Sequence, residues 1–345
     1  MFIRPLREKD LDDLHAMARS AGKGLTTLPA DRALLADKIR RTREAFDQQS
    51  APEAGLYLFA LEDSRRGRCV GVSGIEARVG RDDVFWNYRL STTVNASRKL
   101  GVHVRTPTLH LTNDMTDATE IGSLYLDERY RQDGNGLLLS LSRFLYLQEF
   151  PGHFSDKVFA EMRGVSDKAG YSPFWEALGR RFFDMEFSEA DYLSGLGRKS
   201  FIAELMPKFP IYLFMLSEAA QAAVAQVHDN TAPALRMLEA EGFNFNGLVD
   251  IFDGGPLVEA FIHNIRTARD SLTRPVSISA EAMDSTVPPA KRLMVANGAF
   301  RDFRVTTLPA HCVGPESVTV PVELAEILLV KSGDRVRLAP LKRGG

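Results

Sequence analysis

A charged turn with two glycines joins an apolar run to a leucine-rich run in LYLDERYRQDGNGLLLSLSRFLYL, residues 124–147. The N–H groups in the first turn of a helix have no intrahelical partner, and the helix dipole adds partial positive charge there. Gly134 and Gly136 let an anionic group approach these N–H groups closely, and Arg131 adds a charge-assisted contact. The pattern predicts a loop that binds a diphosphate. Two glycines before a helix also occur in tight turns, so this alternative stays open.

Three further side chains are of types that can transfer a proton or bind a charged substrate. His228 stands in QVHDN, before a predicted helix, and an unperturbed imidazole has a pKa of about 6.5, which suits general acid–base catalysis. Glu161 and Arg163 alternate along a predicted strand in FAEMRG and are suited to binding a guanidinium and a carboxylate. The alternatives are a bystander histidine beside a helix cap, and a solvated strand face or an ion pair.

The elements around the turn follow from hydrophobic periodicity. A strand over 120–127 precedes the turn and a helix over 136–149 follows it, and 157–164 is another strand. GLYLFALED and CVGVSGIEARV are β-rich and predict a hairpin, whereas residues 80–118 show no regular period. These patterns predict a mixed α/β protein.

A weak internal repeat follows. A proline, a leucine and a phenylalanine recur in register between 171–183 and 231–243, each pair 60 residues apart as Pro173 and Pro233 are. Each copy follows a β-like run, DKVFAEM or AAVAQVH. The repeat predicts two strand–loop–helix units of one design.

The C-terminal part changes in composition. Residues 269–291 are rich in Ser, Thr, Pro and Ala, which predicts a linker or loose extension. Short strands around one small helix follow, and they predict a small β-barrel-like module.

Bulk composition excludes several classes of protein. The 345 residues carry a formal charge of −2, which gives no argument for nucleic acid or an anionic membrane. Two distant cysteines indicate a reducing compartment, and no Cys/His spacing predicts a metal site. The start, MFIRPLREKD, lacks the features of a secretory signal, and no apolar run is long enough to cross a membrane. We expect a cytoplasmic protein.

The order of hairpin, strand, RxxGxG loop, leucine-rich helix, strand and helix resembles the GNAT acyltransferase superfamily. In that superfamily an R/Q-x-x-G-x-G/A loop holds the pyrophosphate of an acyl-coenzyme A. ALRMLEAEGF also resembles the helix that follows the fifth strand of that fold. The resemblance implies an α/β (α+β) GNAT-like fold.

Longer blocks resemble the arginine N-succinyltransferase family, which moves succinyl from succinyl-CoA to the α-amine of arginine. They include TEIGSLYLDERYRQDGNGLLLSLSRF, FIAELMPKFPIY, QVHDNTAPALRMLEAEGF and VDIFDGGP. The resemblance implies a GNAT-like acyl-CoA-binding domain at 1–195, a second GNAT-like half with His228 at 196–270, and a linker with a β-rich module at 271–345.

The same resemblance implies roles for residues. His228 matches the family's proposed acid/base histidine, and succinyl-CoA is expected as a co-substrate rather than a permanently bound cofactor. The expected succinyl-CoA contacts are Leu124, Leu126, Arg131, Gly134, Asn135 and Gly136. L-Arginine is the expected acceptor, Glu161 and Arg163 are candidates to bind it, and a homo-oligomer or a hetero-oligomer with a paralogous subunit is expected.

The chemistry sets two requirements. An α-amine has a pKa of about 8, so most of the acceptor must lose a proton before or during attack. The tetrahedral oxyanion needs a donor, which a strand N–H near residues 124–126 would supply. A GNAT enzyme for another amine and acyl group, a non-catalytic acyl-CoA-binding subunit, and a preference for ornithine over arginine all remain open.

Overall fold

The computed structural model describes residues 1–21, 27–81, 83–167, 170–195, 205–280 and 287–342. The strands are β1 Phe2–Pro5, β2 Leu56–Asp63, β3 Arg68–Glu76, β4 Asn87–Ser97, β5 Val102–Thr112, β6 Thr119–Leu126, β7 Lys157–Glu161, β8 Ile211–Tyr212, β9 Asn244–Asp250, β10 Pro256–Phe261, β11 Leu272–Ser279, β12 Arg292–Asn297, β13 Val305–Pro309, β14 Val318–Pro321 and β15 Arg335–Pro340. The helices are α1 Leu11–Ala21, α2 Arg32–Phe46, α3 Asn135–Glu149, α4 Pro173–Ala177, α5 Gly179–Phe183, α6 Phe187–Gly195, α7 Glu218–Ala223, α8 Ala232–Glu241, α9 Arg266–Arg269 and α10 Val322–Leu328.

The described strands form one sheet of 15 strands in the order β14-β11-β15-β12-β13-β1-β2-β3-β6-β7-β10-β9-β4-β5-β8. Neighbouring strands are antiparallel except β6 with β7 and β11 with β14, which are parallel. The helix that joins the parallel pair β6 and β7 is α3, as such a crossover requires. The predicted mixed α/β fold is therefore confirmed.

Helix α3 lies at the centre of the largest apolar cluster. Its Leu138, Leu141, Phe144 and Leu145 are buried together with side chains from β2, β3 and β7. Helices α1 and α2 cover other side chains of β2 and β3, including Leu58. The hairpin β2–β3 and the strand–turn–helix β6–α3 lie where the sequence predicts them, because each has a clear hydrophobic period.

Residues 80–118 are not irregular, so that prediction is wrong. Strands β4 and β5 pair along their whole lengths, from Asn87 with Thr112 to Ser97 with Val102. The outer half of this hairpin is exposed on both faces, as Val94 at 51% and Val104 at 50% exposure show. Apolar and polar residues alternate in parts of the hairpin, as at Tyr88, Leu90 and Val94, but threonines such as Thr92 interrupt the pattern and no buried face reinforces it in the outer half.

The predicted strand before the second helix of the repeat is also wrong. The AAVAQVH region belongs to helix α7 and the loop after it, because EAAQAA favours helix and Ser217 caps it by accepting a hydrogen bond from the Ala220 N–H. Strand β10 pairs antiparallel with β7 on one side and with β9 on the other. The strands within residues 205–270 therefore extend the same sheet. The described strands before residue 195 and after residue 205 belong to this one sheet.

The prediction of a linker over 269–291 is wrong for residues 272–279. Residues 272–279 form β11, which pairs with β15 and β14. The β-branched Thr273, Val276 and Ile278 favour a strand, and Pro275 is tolerated opposite Arg335. Residues 281–286 lie outside the described residues.

The C-terminal module is β-rich, as predicted. Its strands surround a core that contains Val295, Val318, Leu324 and Leu338. The module continues the main sheet, since Val305 of β13 pairs with Ile3 of β1. The division of the chain into three domains stays a prediction.

Two features are absent from the described ranges, a membrane-spanning helix and a metal-binding cluster. In that part of the chain, no helix is long and apolar enough to cross a membrane. No group of three or more His, Cys, Asp or Glu side chains in the same ranges is placed to hold a metal ion.

Candidate active site

A cleft opens where the parallel strands β6 and β7 diverge. The two strands pair at Thr119 with Val158 and at Glu120 with Phe159. Beyond these pairs, residues 121–124 and residues 160–163 line a cleft of about 810 Å³. A cavity of this size is suited to a small-molecule ligand.

A β-bulge interrupts the edge of β6 inside this cleft. Val72 of β3 pairs with Tyr125 and Gly74 pairs with Gly122, so two residues of β6, Ser123 and Leu124, lie opposite one residue of β3. Ser123 has a φ of 52°, in the left-handed region. A bulge leaves the extra residue outside the ladder and redirects backbone groups, which places backbone of Ser123 and Leu124 at the cleft wall.

The glycine loop directly follows β6. Asp133 and Gly134 both have positive φ angles, 53° and 80°, and Gly134 is the N-cap of α3 without any side-chain cap. The Asn135 N–H donates to the Gln132 carbonyl at 3.0 Å, so the N–H groups of Gly136 and Leu137 are the ones available to an anion. A Cβ added at Gly136 would meet only Leu126 Cδ2, at 3.9 Å, so Gly136 leaves open space in front of them.

The side chains of Asn135 and Arg131 hold the conformation of the glycine loop. The Asn135 side chain is buried and donates to the Tyr130 carbonyl at 3.0 Å. Arg131 Nε donates to the Leu126 carbonyl at 3.0 Å, whereas 53% of the Arg131 side chain is exposed and lies 3.5 Å from Glu128. Arg131 can thus extend its outer nitrogens toward a phosphate while its Nε is anchored.

Leu124 and Leu126 differ in their surroundings. Leu124 lines the cleft, as a contact with the co-substrate requires. Leu126 is buried in the core cluster and contributes its carbonyl to Arg131. A direct contact of Leu126 with a ligand therefore stays a prediction, and the structure gives Leu126 a role in positioning the loop.

Glu161 and Arg163 lie together on the cleft wall. Glu161 accepts a hydrogen bond of 3.4 Å from Asn87 Nδ2. Arg163 donates from Nη2 to Ser166 Oγ at 2.8 Å, and its buried Nε has no hydrogen-bond partner among the described residues. A buried N–H without a partner is unfavourable, so Arg163 is suited to receive an anion.

His228 lies two residues before Asn230, which lines the cleft. Its backbone N–H donates to the Arg163 carbonyl at 2.9 Å, and the cleft is lined by Asn230 rather than by the imidazole itself. The Nδ1 atom accepts from the Asn230 N–H at 3.1 Å, which places the proton of the neutral ring on Nε2. Burial and the charge of Arg163 lower the pKa of His228, although Asp229 and a backbone hydrogen bond with Ser166 act in the opposite direction.

Arg143 is a residue of the cleft that the sequence patterns above do not predict. This residue of α3 is 2% exposed, yet it lines the cleft. Burial lowers the pKa of its guanidinium to about 9. The signal was present in the sequence, because Arg143 is the only basic residue in the apolar helix LLLSLSRFLYL.

Comparison with known proteins agrees with this geometry. Residues 1–267 match the family described as arginine N-succinyltransferase beta subunit, and residues 274–340 match its C-terminal domain. Arginine N-succinyltransferase of Yersinia pestis is 46% identical over 99% of this chain and 98% of its own length. Arginine N-succinyltransferase subunit beta of Pseudomonas aeruginosa is 45% identical over the full length of both chains.

A solved structure matches as well. Arginine/ornithine succinyltransferase subunit AI from Pseudomonas aeruginosa superposes with a TM-score of 0.89 at 35% identity, and the match covers 99% of both chains. Similarity of this extent reaches every described element of the fold, including the C-terminal module. The chain therefore belongs to the arginine N-succinyltransferase family of acyltransferases.

Proposed function

We propose that this protein transfers the succinyl group of succinyl-CoA to the α-amine of L-arginine. The observation that carries the proposal is the cleft between β6 and β7. Leu124 of β6 lines the cleft, the glycine loop that follows β6 does not, and the opposite wall carries both carboxylates and guanidinium groups. Family membership supplies the reaction class.

The donor binds along β6 in this proposal. The diphosphate of succinyl-CoA lies against the first N–H groups of α3, with Arg131 contributing charge and Gly136 leaving room. The pantetheine then follows the free edge of β6 into the cleft. Its thioester carbonyl reaches the bulge, where the Leu124 N–H stabilises the oxyanion of the tetrahedral intermediate.

The acceptor approaches from the wall opposite β6. Arg163 binds the α-carboxylate of arginine through its unpartnered Nε, and Glu161 binds the guanidinium. Together these contacts aim the α-amine at the thioester. Ornithine has an ammonium in place of the guanidinium, so Glu161 can bind it as well, with a single contact instead of a bidentate one.

Proton transfer is assigned to His228. Its lowered pKa keeps the ring neutral at pH 7, and the Asn230 contact to Nδ1 leaves Nε2–H as a donor toward neighbouring groups. To accept the amine proton, directly or through a bridging water, the ring must first release the Asn230 N–H so that the Nδ1 lone pair is free. The leaving thiolate of CoA is a good leaving group and needs little protonation.

The test of the reaction uses purified protein with L-arginine and succinyl-CoA, and free thiol is followed with time. We expect turnover with succinyl-CoA to exceed that with acetyl-CoA, and arginine to exceed ornithine. Turnover with acetyl-CoA and another amine, but none with arginine, would support a GNAT enzyme of different specificity instead.

The relatives include a chain named as a beta subunit and a structure named as subunit AI, so assembly is part of the proposal. We expect an oligomer of this chain or one with a paralogous subunit, acting in the cytoplasm where succinyl-CoA is formed. Sedimentation of the purified chain with a parallel activity assay tests this. Binding of succinyl-CoA without turnover by the chain alone would indicate a non-catalytic subunit.

A further inference from the structure

Arg143 is a buried cation without a buried anion. No ion pair joins its guanidinium to a carboxylate among the described residues, and burial alone accounts for its lowered pKa. Removing a charge from water costs several kcal/mol unless a partner compensates for it. The protein's own contacts with Arg143 are all to neutral acceptors and offset only part of this cost, which points to an anionic ligand.

The hydrogen bonds of Arg143 leave one side of the guanidinium weakly occupied. Nε donates to the Ser140 carbonyl at 3.0 Å and Nη2 donates to Ser140 Oγ at 2.9 Å. Nη1 has only two long contacts, 3.4 Å to the Gly122 carbonyl and 3.5 Å to the Gly74 carbonyl. Ser140 therefore orients the group, and Nη1 is left near the limit of hydrogen bonding.

Arg143 Nη1 lies close to the place proposed for the thioester carbonyl of the donor. Gly122 immediately precedes Ser123 and Leu124, the two bulge residues beside which the thioester is placed. A succinyl group carries a second carboxylate two methylene groups beyond its thioester carbonyl. That distance is short enough for a carboxylate to lie against a guanidinium next to Gly122.

We propose that Arg143 binds the distal carboxylate of the succinyl group and so selects a dicarboxylic acyl donor. The inference rests on the proposed function, because it names the residue that recognises the acyl group at the same site. A carboxylate at Nη1 supplies the missing anion, whereas an acetyl group leaves the buried cation unpaired. Selection thus comes from a penalty against the wrong donor as well as from a contact with the right one.

The binding test needs no acceptor amine. Isothermal titration compares succinyl-CoA with butyryl-CoA, which has the same acyl length without the carboxylate. Wild-type protein is expected to bind succinyl-CoA about 10- to 100-fold more tightly, the range of charge-assisted hydrogen bonds. Arg143→Gln is expected to remove this preference and to leave the affinity for butyryl-CoA within about threefold of wild type.

Two control variants separate recognition from structure. Arg304 is also a buried arginine whose pKa is lowered by burial, but it lies in the C-terminal part and does not line the cleft. Arg304→Gln is therefore expected to keep the succinyl preference. Arg163→Gln alters the acceptor wall, so it should weaken binding of arginine and likewise keep the preference between the two donors.

The outcomes are distinguishable. If wild-type protein binds both thioesters equally, the cleft holds no site for the carboxylate, and the succinyl donor of the proposed function falls together with the role of Arg143. If wild-type protein prefers succinyl-CoA and Arg143→Gln keeps that preference, the assignment to Arg143 alone is wrong and the proposed function stands.

A further variant guards against misfolding of Arg143→Gln. Ser140→Ala keeps the guanidinium and removes the hydroxyl that accepts from Nη2. We expect it to reduce the succinyl preference about 2- to 10-fold, as loss of one orienting hydrogen bond predicts. An unchanged preference in a folded Ser140→Ala protein would count against Arg143 as the carboxylate ligand.

Discussion

Two buried arginines of this protein have opposite surroundings. Arg4 on β1 is 1% exposed and contacts two carboxylates, Asp10 at 2.6 Å and Glu62 at 2.5 Å. Arg143 on α3 is equally buried, and its partners are carbonyls and one hydroxyl. The carboxylates of Asp10 and Glu62 raise the pKa of Arg4, whereas burial lowers the pKa of Arg143.

The comparison separates two uses of buried charge. Around Arg4 the protein supplies every partner itself, so the cluster ties β1 to the following turn and to β2. Around the cleft, Arg143, Arg163 and the first turn of α3 are left with donors that the described residues do not fully occupy. The first region serves the fold, and the second is complete only with a ligand. Four predictions test this contrast.

The largest effect is expected on stability. Arg4→Met leaves Asp10 buried without its cation, which should lower the free energy of unfolding by about 3–5 kcal/mol. Arg143→Met strands no carboxylate, so its cost should be less than half of that value. Urea unfolding of both variants measures the difference. Equal losses would show that Arg143 is as much a structural residue as Arg4.

The next effect is on turnover. His228→Ala should lower kcat by about 100-fold or more, because it removes the proposed proton-transfer group. The affinity for succinyl-CoA should change little, since the imidazole does not line the cleft. Steady-state kinetics with calorimetric titration test this, and circular dichroism verifies folding. Turnover close to wild type would shift the role to Glu161 or a water-mediated base.

A smaller effect is expected at the glycine loop. Gly136→Val should weaken CoA binding by about tenfold or more, because a side chain would occupy the space in front of the α3 N–H groups. Its melting temperature should stay near that of wild type, since a Cβ at Gly136 meets nothing closer than 3.9 Å.

Gly134→Ala is the matched comparison for that variant. Gly134 has a φ of 80°, and an added Cβ would approach Leu341 Cδ2 to 2.9 Å. It should therefore lower the melting temperature, unlike Gly136→Val. Unchanged CoA affinity in a folded Gly136→Val protein would remove the phosphate-binding role of the loop.

The smallest effect concerns pH. The pKa of His228 lies below its usual 6.5, chiefly through burial and then through Arg163, so the neutral ring still predominates at pH 6.5. Between pH 7.5 and 6.5, kcat/KM corrected for the neutral fraction of the amine should therefore fall less than about twofold. Below that range the ring becomes protonated and activity is lost. An acidic limb centred above pH 6.5 would contradict this environment.

Sequence reasoning succeeded where one hydrophobic period dominates. The β2–β3 hairpin and β6–loop–α3 have such periods, and the loop glycines sit at a helix start in the structure. The β4–β5 hairpin was not predicted because threonines interrupt its apolar alternation and its outer half buries neither face, and α7 was taken for a strand because alanine and valine carry little periodic contrast.

The site was only partly visible for a similar reason. Leu124 and Glu161 converge on the cleft as their strand positions indicate, and Arg163 joins them from two residues beyond the end of β7. The bulge at Ser123 depends on pairing with β3, which one strand's sequence does not encode. Arg143 could have been noticed as the single cation of an apolar helix, although its position near the bulge follows only from the packing of α3.

The contact of Gly134 with the far end of the chain affects how the protein becomes active during synthesis. Gly134 lies against Pro289 and Leu341, so the loop has its full surroundings only after the ribosome has added more than 200 further residues. Strand β1 likewise waits for β13, whose Val305 pairs with Ile3. A nascent chain that ends before these segments exposes an unfinished sheet edge and an unsupported loop. Acyl-CoA binding is therefore expected to arise late, after release of the whole chain.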